Sequence, residues 1–338
     1  MLQSLRALPR ELDATRWRRA LFPDAWQNLA LETYASVRSL PLPPVTADPP
    51  WTLDPVSLDG LAIRWPRVTN PPDVGRMLAP VRRAMSHHVR LELADIPQPE
   101  GSVVVMELVG DGGPYLVAID LWDRSSFFDA DLVKRCLVYF KMQYLGGGYG
   151  IPQVVPGGYV TEKGTLYSYL PYLRRLRDHQ DFTCDVYGRF GLRFGADLRR
   201  RTVSALSAQQ RFAFSGGHKT VPVVSFEREI ARSRVCIDLP GQDDAFCSRL
   251  ISYMAVGACI VGARPKNELQ VPLVDRVHVA WTRDDQSDLV DLCEYYVKNE
   301  EAREKMASEA RQFFDRYLHA ESLAAYYLHT FVLRLSKR

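Results

Sequence analysis

Strand-like apolar runs and amphipathic helical segments are interspersed along the second half of the chain. This arrangement limits the fold more than any other sequence feature. The runs FTCDVYG, RFAFSGG, RVCIDLP and ACIVGA are typical of buried strands. Helical segments over residues 165–179, 225–232 and 246–256 lie beside them in sequence. Strands and helices at this spacing predict a parallel sheet covered by helices, so we predict a Rossmann-like domain.

The first half shows the same alternation less regularly. Two runs, SVVVMELV and YLVAIDL, are almost continuously apolar, as central strands are. We predict strands over residues 61–65, 89–93, 102–109, 115–121 and 137–144, and helices over 74–86 and 129–135. We predict that residues 1–160 form one domain with a helical extension at 1–40, that 161–320 form a second, and that 321–338 form a final helix.

Composition narrows the class of protein. The 338 residues suffice for two domains, and a formal charge of +3 does not require a polyanionic partner. We find neither a signal-peptide pattern nor an apolar run long enough to span a membrane. The six cysteines include no CxxC pair, which disfavours a structural zinc site and favours a reducing compartment. We therefore expect a cytoplasmic protein.

The strongest candidate site lies in the segment from Val235 to Val261, which reads as strand, acidic loop, helix and strand. Ligands of doubly wound sheets bind beyond the carboxyl ends of strands, where helices begin. A helix start offers free N–H groups to an anion, and Ser248 and Arg249 would add a hydroxyl and a guanidinium for a diphosphate. Arg249 could equally be a surface residue of an ordinary helix.

The segment SFEREIARSRVCIDLPGQDDAFCSRLISYMAVGACIV resembles the donor half of GT-B glycosyltransferases, especially the spore-maturation CgeB type and the capsule-associated protein O-glucosyltransferases. The resemblance covers about residues 180–320. It implies two Rossmann-like domains facing a cleft and a last helix that returns to the first domain. It also implies a UDP- or GDP-sugar as co-substrate, bound through Arg249, a hexosyltransferase activity, and no separate cofactor.

Two features depart from related families. Retaining members of glycosyltransferase family 4 carry two glutamates separated by seven residues before the Ala-x-Gly turn. This chain has Asp244 and Ser252 at those places, so the ribose contact and the retaining outcome do not carry over. There is also no Asp-x-Asp at a strand end. We expect a metal-independent reaction in which cations and helix dipoles neutralise the leaving diphosphate.

Other loops are candidates to complete the site. Arg189 follows one strand and lies near two glycines, while Gly217 and Lys219 follow another; a Gly-rich surface turn is the alternative at both places. In the first half, Asp120 and Asp123 follow a strand and are candidates for a general base, although Asp120 could instead cap a helix or pair with Arg124. Lys141 and a Gly-rich loop at 146–148, expected to be mobile, follow the next strand.

The acceptor is predicted to be a saccharide, small molecule or protein hydroxyl. A nucleic acid remains an alternative if the arginines at 174, 175, 177 and 199–201 form a phosphate-binding groove; otherwise they lie on solvated helix faces. A third alternative is a non-catalytic nucleotide-binding protein on a GT-B scaffold, suggested by Ser252 in place of the second glutamate.

Overall fold

The computed structural model describes residues 47–110, 112–126, 128–161 and 166–337, apart from the side chains of residues 72 and 73. The predicted extension at 1–40 lies outside these residues, as do residues 162–165, which follow the predicted boundary between the two domains. Within the described ranges, no helix is long and apolar enough to cross a membrane.

The first sheet belongs to the first half of the chain. Its described strands are β1 (Ala62–Pro66), β2 (Arg90–Ala94), β3 (Val103–Gly110), β4 (Gly113–Asp120), β5 (Cys136–Lys141) and β6 (Val154–Pro156), in the order β2-β1-β3-β4-β5-β6. Three helices accompany them: α1 (Pro55–Leu58), α2 (Pro72–Met85) and α3 (Ala130–Arg135). The strands and helices predicted from apolar periodicity are confirmed to within a few residues.

Strand β3 runs against its neighbours, so this sheet is mixed and departs from a purely parallel Rossmann arrangement. It pairs antiparallel with both β1 and β4, whereas the other neighbouring pairs are parallel. Gly110 pairs with Gly113 at the turn between β3 and β4. A glycine-rich connection this short favours a hairpin, because a parallel crossover needs a dozen or more residues.

The second sheet is parallel throughout, as the sequence predicts. Its described strands are β7 (Cys184–Arg189), β8 (Phe214–Gly217), β9 (Ser233–Asp238), β10 (Cys259–Gly262) and β11 (Ala280–Trp281), in the order β11-β10-β9-β7-β8. The helices around it are α4 (Leu166–Asp178), α5 (Ala196–Ala208), α6 (Val223–Ala231), α7 (Ser248–Val256), α8 (Leu289–Lys298) and α9 (Glu300–Phe313). The predicted fold class, α/β with two sheet units of the GT-B kind, is confirmed.

The last helix, α10 (Ala320–Leu335), packs against the first sheet after a π-helical turn at Phe314–Leu318. The hydroxyls of Tyr326 and Tyr327 donate to the carbonyls of Pro156 and Gly157, both at 2.7 Å. The Tyr327 ring lies 4.4 Å, centroid to centroid, from that of Phe140 in β5. The chain therefore returns from the second unit to complete the core of the first.

Three of the arginines considered for a solvated helix face are instead buried. Arg174 makes two hydrogen bonds to the Asp315 carboxylate, at 2.6 and 3.1 Å, and a third to the Ala255 carbonyl at 2.8 Å. Arg177 donates to the Ser233 carbonyl, and Arg199 to those of Gly191 and Pro240. Their guanidinium groups cap buried carbonyl and carboxylate oxygens, so the prediction of solvated faces was wrong at these three positions.

Candidate active site

A cavity of about 160 Å³ opens at the carboxyl ends of β7 and β8. Cationic and apolar side chains share its wall, and the lining includes no carboxylate. The lining residues are Arg189, Phe190, Gly191, His218, Lys219, Thr220, Val221, Val223, Phe226 and Arg249. The structure thus brings Arg189, Lys219 and Arg249, three of the residues predicted from sequence, to one cavity.

The backbones of β7 and β8 approach closely just before the residues that line the cavity. Gly188 pairs with Gly216, and a Cβ on Gly216 would collide with the Gly188 carbonyl oxygen. The next residue, Gly217, has a φ of +119°, which side-chain-bearing residues rarely adopt. The glycines therefore let β8 turn sharply into the segment that carries His218 and Lys219.

Helix α7 begins beside the cavity, and no side chain caps its start. Ser248 is its first residue, so its first N–H groups have no intrahelical partner and present a partial positive charge. Arg249 follows. Its guanidinium stands 5.2 Å from the centroid of the Phe190 ring, and one Nη donates to the Leu239 carbonyl at 2.8 Å.

The buried carboxylate of Asp238 lies next to Arg249. The Nε of Arg249 lies 3.8 Å from Oδ1 of Asp238, and neither atom has a hydrogen-bond partner among the described residues. Burial raises the pKa of Asp238 to about 6, against the opposing effects of Arg249 and Arg199. The carboxylate holds the cation near the cavity without saturating it, so Arg249 keeps donor capacity for a ligand anion.

The remaining basic side chains of the cavity differ in how they are held. Arg189 donates from Nε to Glu229 at 3.0 Å, so a neighbouring helix orients it. The Nδ1 of His218 lies 3.3 Å from the Phe190 carbonyl oxygen, and Lys219 is exposed. The wall of the cavity therefore includes one anchored and one solvent-facing cation besides Arg249.

Asp244 and Ser252, which align with the two glutamates of related families, do not line this cavity. Asp244 is exposed and pairs with Lys266 at 2.6 Å. Ser252 is fully buried and donates its hydroxyl to Glu227 of α6 at 2.8 Å. Ser252 therefore joins helices α6 and α7.

On the facing unit, Asp120 ends β4 and is fully buried. Its carboxylate accepts hydrogen bonds from the Lys141 ammonium, the Tyr139 hydroxyl and the Trp122 N–H, each at 2.8 Å. Burial raises the pKa of Asp120 and lowers that of Lys141, and the attraction between the two opposes both shifts. The partner of Asp120 is therefore Lys141 rather than Arg124, and neither group of the pair reaches solvent.

Asp123 lies three residues further along and is exposed. Desolvation raises the pKa of its carboxyl, while the Gln143 amide and the Lys141 ammonium lower it. Of the two carboxylates considered as a base, Asp123 is the one open to an incoming hydroxyl. The assignment of a base to either residue stays a prediction.

The segment 143–146, just after β5, joins the two units. Gln143 is fully buried, and its amide both donates to the Phe246 carbonyl at 3.0 Å and accepts from the Phe246 N–H at 3.1 Å. The Gly146 N–H donates to the Lys266 carbonyl at 3.0 Å, and the Glu268 N–H to the Tyr144 carbonyl at 2.8 Å. The loop predicted to be mobile thus begins in a stretch hydrogen-bonded to the other unit.

No group of three or more His, Cys, Asp or Glu side chains in the described ranges is arranged to hold a metal ion. The free cysteines are Cys136, Cys184, Cys236, Cys247, Cys259 and Cys293. Burial raises the pKa of the Cys136 and Cys259 thiols to about 12, which is the behaviour of structural cysteines.

Comparison with known families gives a match in the second half of the chain. Residues 171–329, just under half of the chain, match the family model described as "Glycosyl transferase-like". The second half of the chain is similar to glycosyl transferases. The match supports a glycosyltransferase family and general glycosyl transfer, with a sugar donor and an acceptor, and it does not single out the CgeB type. A search of curated proteins gave no match.

Three contributors to the site were missed by sequence reasoning. Arg199 fixes the loop around Gly191, His218 lines the cavity, and Gln143 bridges the units. His218 directly precedes Lys219 in a Gly-rich strand end, so the rule that selected Lys219 applied equally to it. Arg199 and Gln143 gave no local signal, because their partners are backbone atoms distant in sequence.

Proposed function

We propose that this chain transfers a sugar, a hexose being the expectation, from a UDP- or GDP-sugar to a hydroxyl acceptor, with the donor held by the second unit. The observation that carries the proposal is the convergence of Arg189, Lys219 and Arg249 on one cavity beside the uncapped start of α7. Cationic side chains and free helix N–H groups together suit a diphosphate. The apolar part of the wall, including Phe190 and Phe226, suits the less polar parts of the donor.

The chemistry follows from this charge distribution. As the anomeric C–O bond to the diphosphate breaks, negative charge develops on the leaving oxygen, and Arg249, Lys219 and the start of α7 stabilise it. The acceptor oxygen forms the new bond to the anomeric carbon and gives its proton to a carboxylate. Asp123 is proposed as that carboxylate, since Asp120 is enclosed by three donors.

We further propose that the reaction needs no metal ion, because protein cations occupy the place where a divalent ion would neutralise the diphosphate. Titration of transfer activity with a chelator tests this point. Loss of activity on chelation, restored by a divalent ion, would overturn it.

Binding of nucleotide sugars to an Arg249 variant tests the main proposal. A charge-assisted hydrogen bond to phosphate contributes about 1.5–3 kcal/mol, so we expect Arg249→Ala to weaken donor binding by about tenfold to a hundredfold. Isothermal titration with UDP- and GDP-sugars measures the dissociation constants. Arg200→Ala, in an exposed residue of α5, is the matched control and should bind like the wild type. If no nucleotide sugar binds the wild type, the proposal fails.

A further inference from the structure

The side-chain amide of Gln143, in the first unit, hydrogen-bonds the backbone of the second unit just before helix α7. It makes two hydrogen bonds to Phe246, 103 residues away in sequence, and both groups are buried. Phe246 stands two residues before Ser248, where α7 begins. The facing unit therefore holds the chain immediately before α7, the helix whose first N–H groups are proposed to bind the diphosphate.

Around Gln143, further hydrogen bonds extend this junction into the loop of the proposed base. The Tyr149 hydroxyl accepts from the Leu145 N–H at 3.1 Å and donates to the Ser125 carbonyl at 2.6 Å. Ser125 lies two residues after Asp123. On the other side, the Lys266 N–H donates to the Asp244 carbonyl at 2.9 Å, which ties the loop before α7 to the loop after β10.

We propose that Gln143 is a positioning residue: by clamping both backbone groups of Phe246, it sets the start of α7 for binding the donor diphosphate. The proposal rests on the proposed function. Helix N–H groups are directional donors, so a shift of the first turn changes several contacts to a phosphate at once. Donor affinity of the second unit then depends on a side chain of the first, although that side chain does not line the cavity.

A second glutamine offers a matched control. Gln98 makes the same pair of bonds to a single residue, donating to the Val105 carbonyl at 2.8 Å and accepting from the Val105 N–H at 3.0 Å. Both partners belong to the first unit and are remote from α7 in sequence. Loss of the Gln98 pair removes equivalent hydrogen bonds without releasing the donor helix.

The experiment compares Gln143→Met with Gln98→Met, since methionine keeps the side-chain length and removes the amide. UDP and GDP are titrated calorimetrically into the wild type and both variants, and thermal melts verify folding. We expect Gln143→Met to raise the dissociation constant of the preferred nucleotide about tenfold, and Gln98→Met to change it less than twofold. In turnover, the KM for the donor should rise in Gln143→Met, and kcat should fall as well, because the Gln143 amide also hydrogen-bonds Asp123, the proposed base.

The outcomes separate this proposal from the proposed function. If the wild type binds neither nucleotide, both fail. If the wild type binds and the Gln143 variant binds equally tightly, the positioning role is wrong and the proposed function stands. An equal loss of affinity in both glutamine variants would also overturn the positioning role, because it would reflect general destabilisation. Should Gln143→Met not fold, Gln143→Asn, whose shorter amide cannot span to Phe246, gives the same readout.

Discussion

Asp120 and Asp238 occupy equivalent positions in the two units, but their carboxylates differ in the hydrogen bonds that they accept. Each is the last residue of an interior strand, β4 in the first sheet and β9 in the second, and each is buried. Asp120 accepts three hydrogen bonds, including one from a buried lysine, whereas Oδ1 of Asp238 has no hydrogen-bond partner among the described residues. A saturated carboxylate suits a structural role, whereas Asp238 leaves donors of the neighbouring Arg249 free, which suits a ligand site built on that arginine.

The variant with the largest expected effect on stability removes Lys141, the charge partner of Asp120. Lys141→Met leaves a buried carboxylate without its charge partner, which typically costs about 3–5 kcal/mol. We expect urea denaturation at pH 7 to show a loss of unfolding free energy of that size. The double variant Asp120→Asn/Lys141→Met should recover at least half of the loss, because the buried charge is gone as well.

An exposed pair provides the control for Lys141. Lys134 contacts Asp131 at 3.0 Å, with side chains 75% and 89% exposed. Solvent-exposed pairs contribute about 0–1 kcal/mol, so Lys134→Met should change stability little. If the two lysine variants lose similar stability, the Asp120–Lys141 pair is not the structural anchor that its geometry indicates.

The second test concerns the titration of Asp238. Burial raises its pKa from an ordinary 3.8 to about 6, so the folded state binds the proton more tightly than the unfolded state. Unfolding free energy should therefore rise as the pH falls from 7 to 4, by up to about 3 kcal/mol from this group. Asp238→Asn removes that contribution, and the difference between the two unfolding curves isolates it. A difference independent of pH would show that Asp238 does not titrate in this range.

The variant with the smallest expected loss of stability removes one of the three hydrogen-bond donors to Asp120. Tyr139→Phe deletes a hydroxyl that donates at 2.8 Å and leaves Lys141 and the Trp122 N–H in place. A hydrogen bond to a charged group contributes about 1.5–3 kcal/mol, and denaturation at pH 7 should show a loss at the low end of this range, because two donors to Asp120 remain. Tyr295→Phe, in a tyrosine 51% exposed, should be nearly neutral. A loss as large as that in Lys141→Met would mean that the hydroxyl, not the ammonium, stabilises the carboxylate.

The sequence predicted the secondary structure well because most elements are amphipathic or continuously apolar. Strand β3 illustrates the limit: its apolar run predicted a strand, but its direction depends on the turn between Gly110 and Gly113. That Gly-Asp-Gly-Gly connection was a readable hairpin signal. The parallel second sheet was easier, since helices separate most of its strands and force crossovers.

The candidate site was predictable only where a rule of topology applied. Strand ends indicated Arg189, Lys219 and the segment of Arg249, because parallel strands present their carboxyl ends at one edge. The burial of Arg199 and the reach of Gln143 depend on carbonyl and N–H groups supplied by distant loops. Every residue type has a backbone carbonyl, so the sequence does not show which residue such a side chain will contact.

The return of α10 to the first sheet has a consequence for the order of synthesis. Phe140 of β5 and the rings of Tyr327 and Phe331 belong to one core, with the Phe140 and Phe331 centroids 5.9 Å apart. A ribosome therefore makes most of the first unit long before it makes the helix that covers this face. Until residues 320–335 emerge, the face is exposed to chaperones or to other chains, and α10 then closes it.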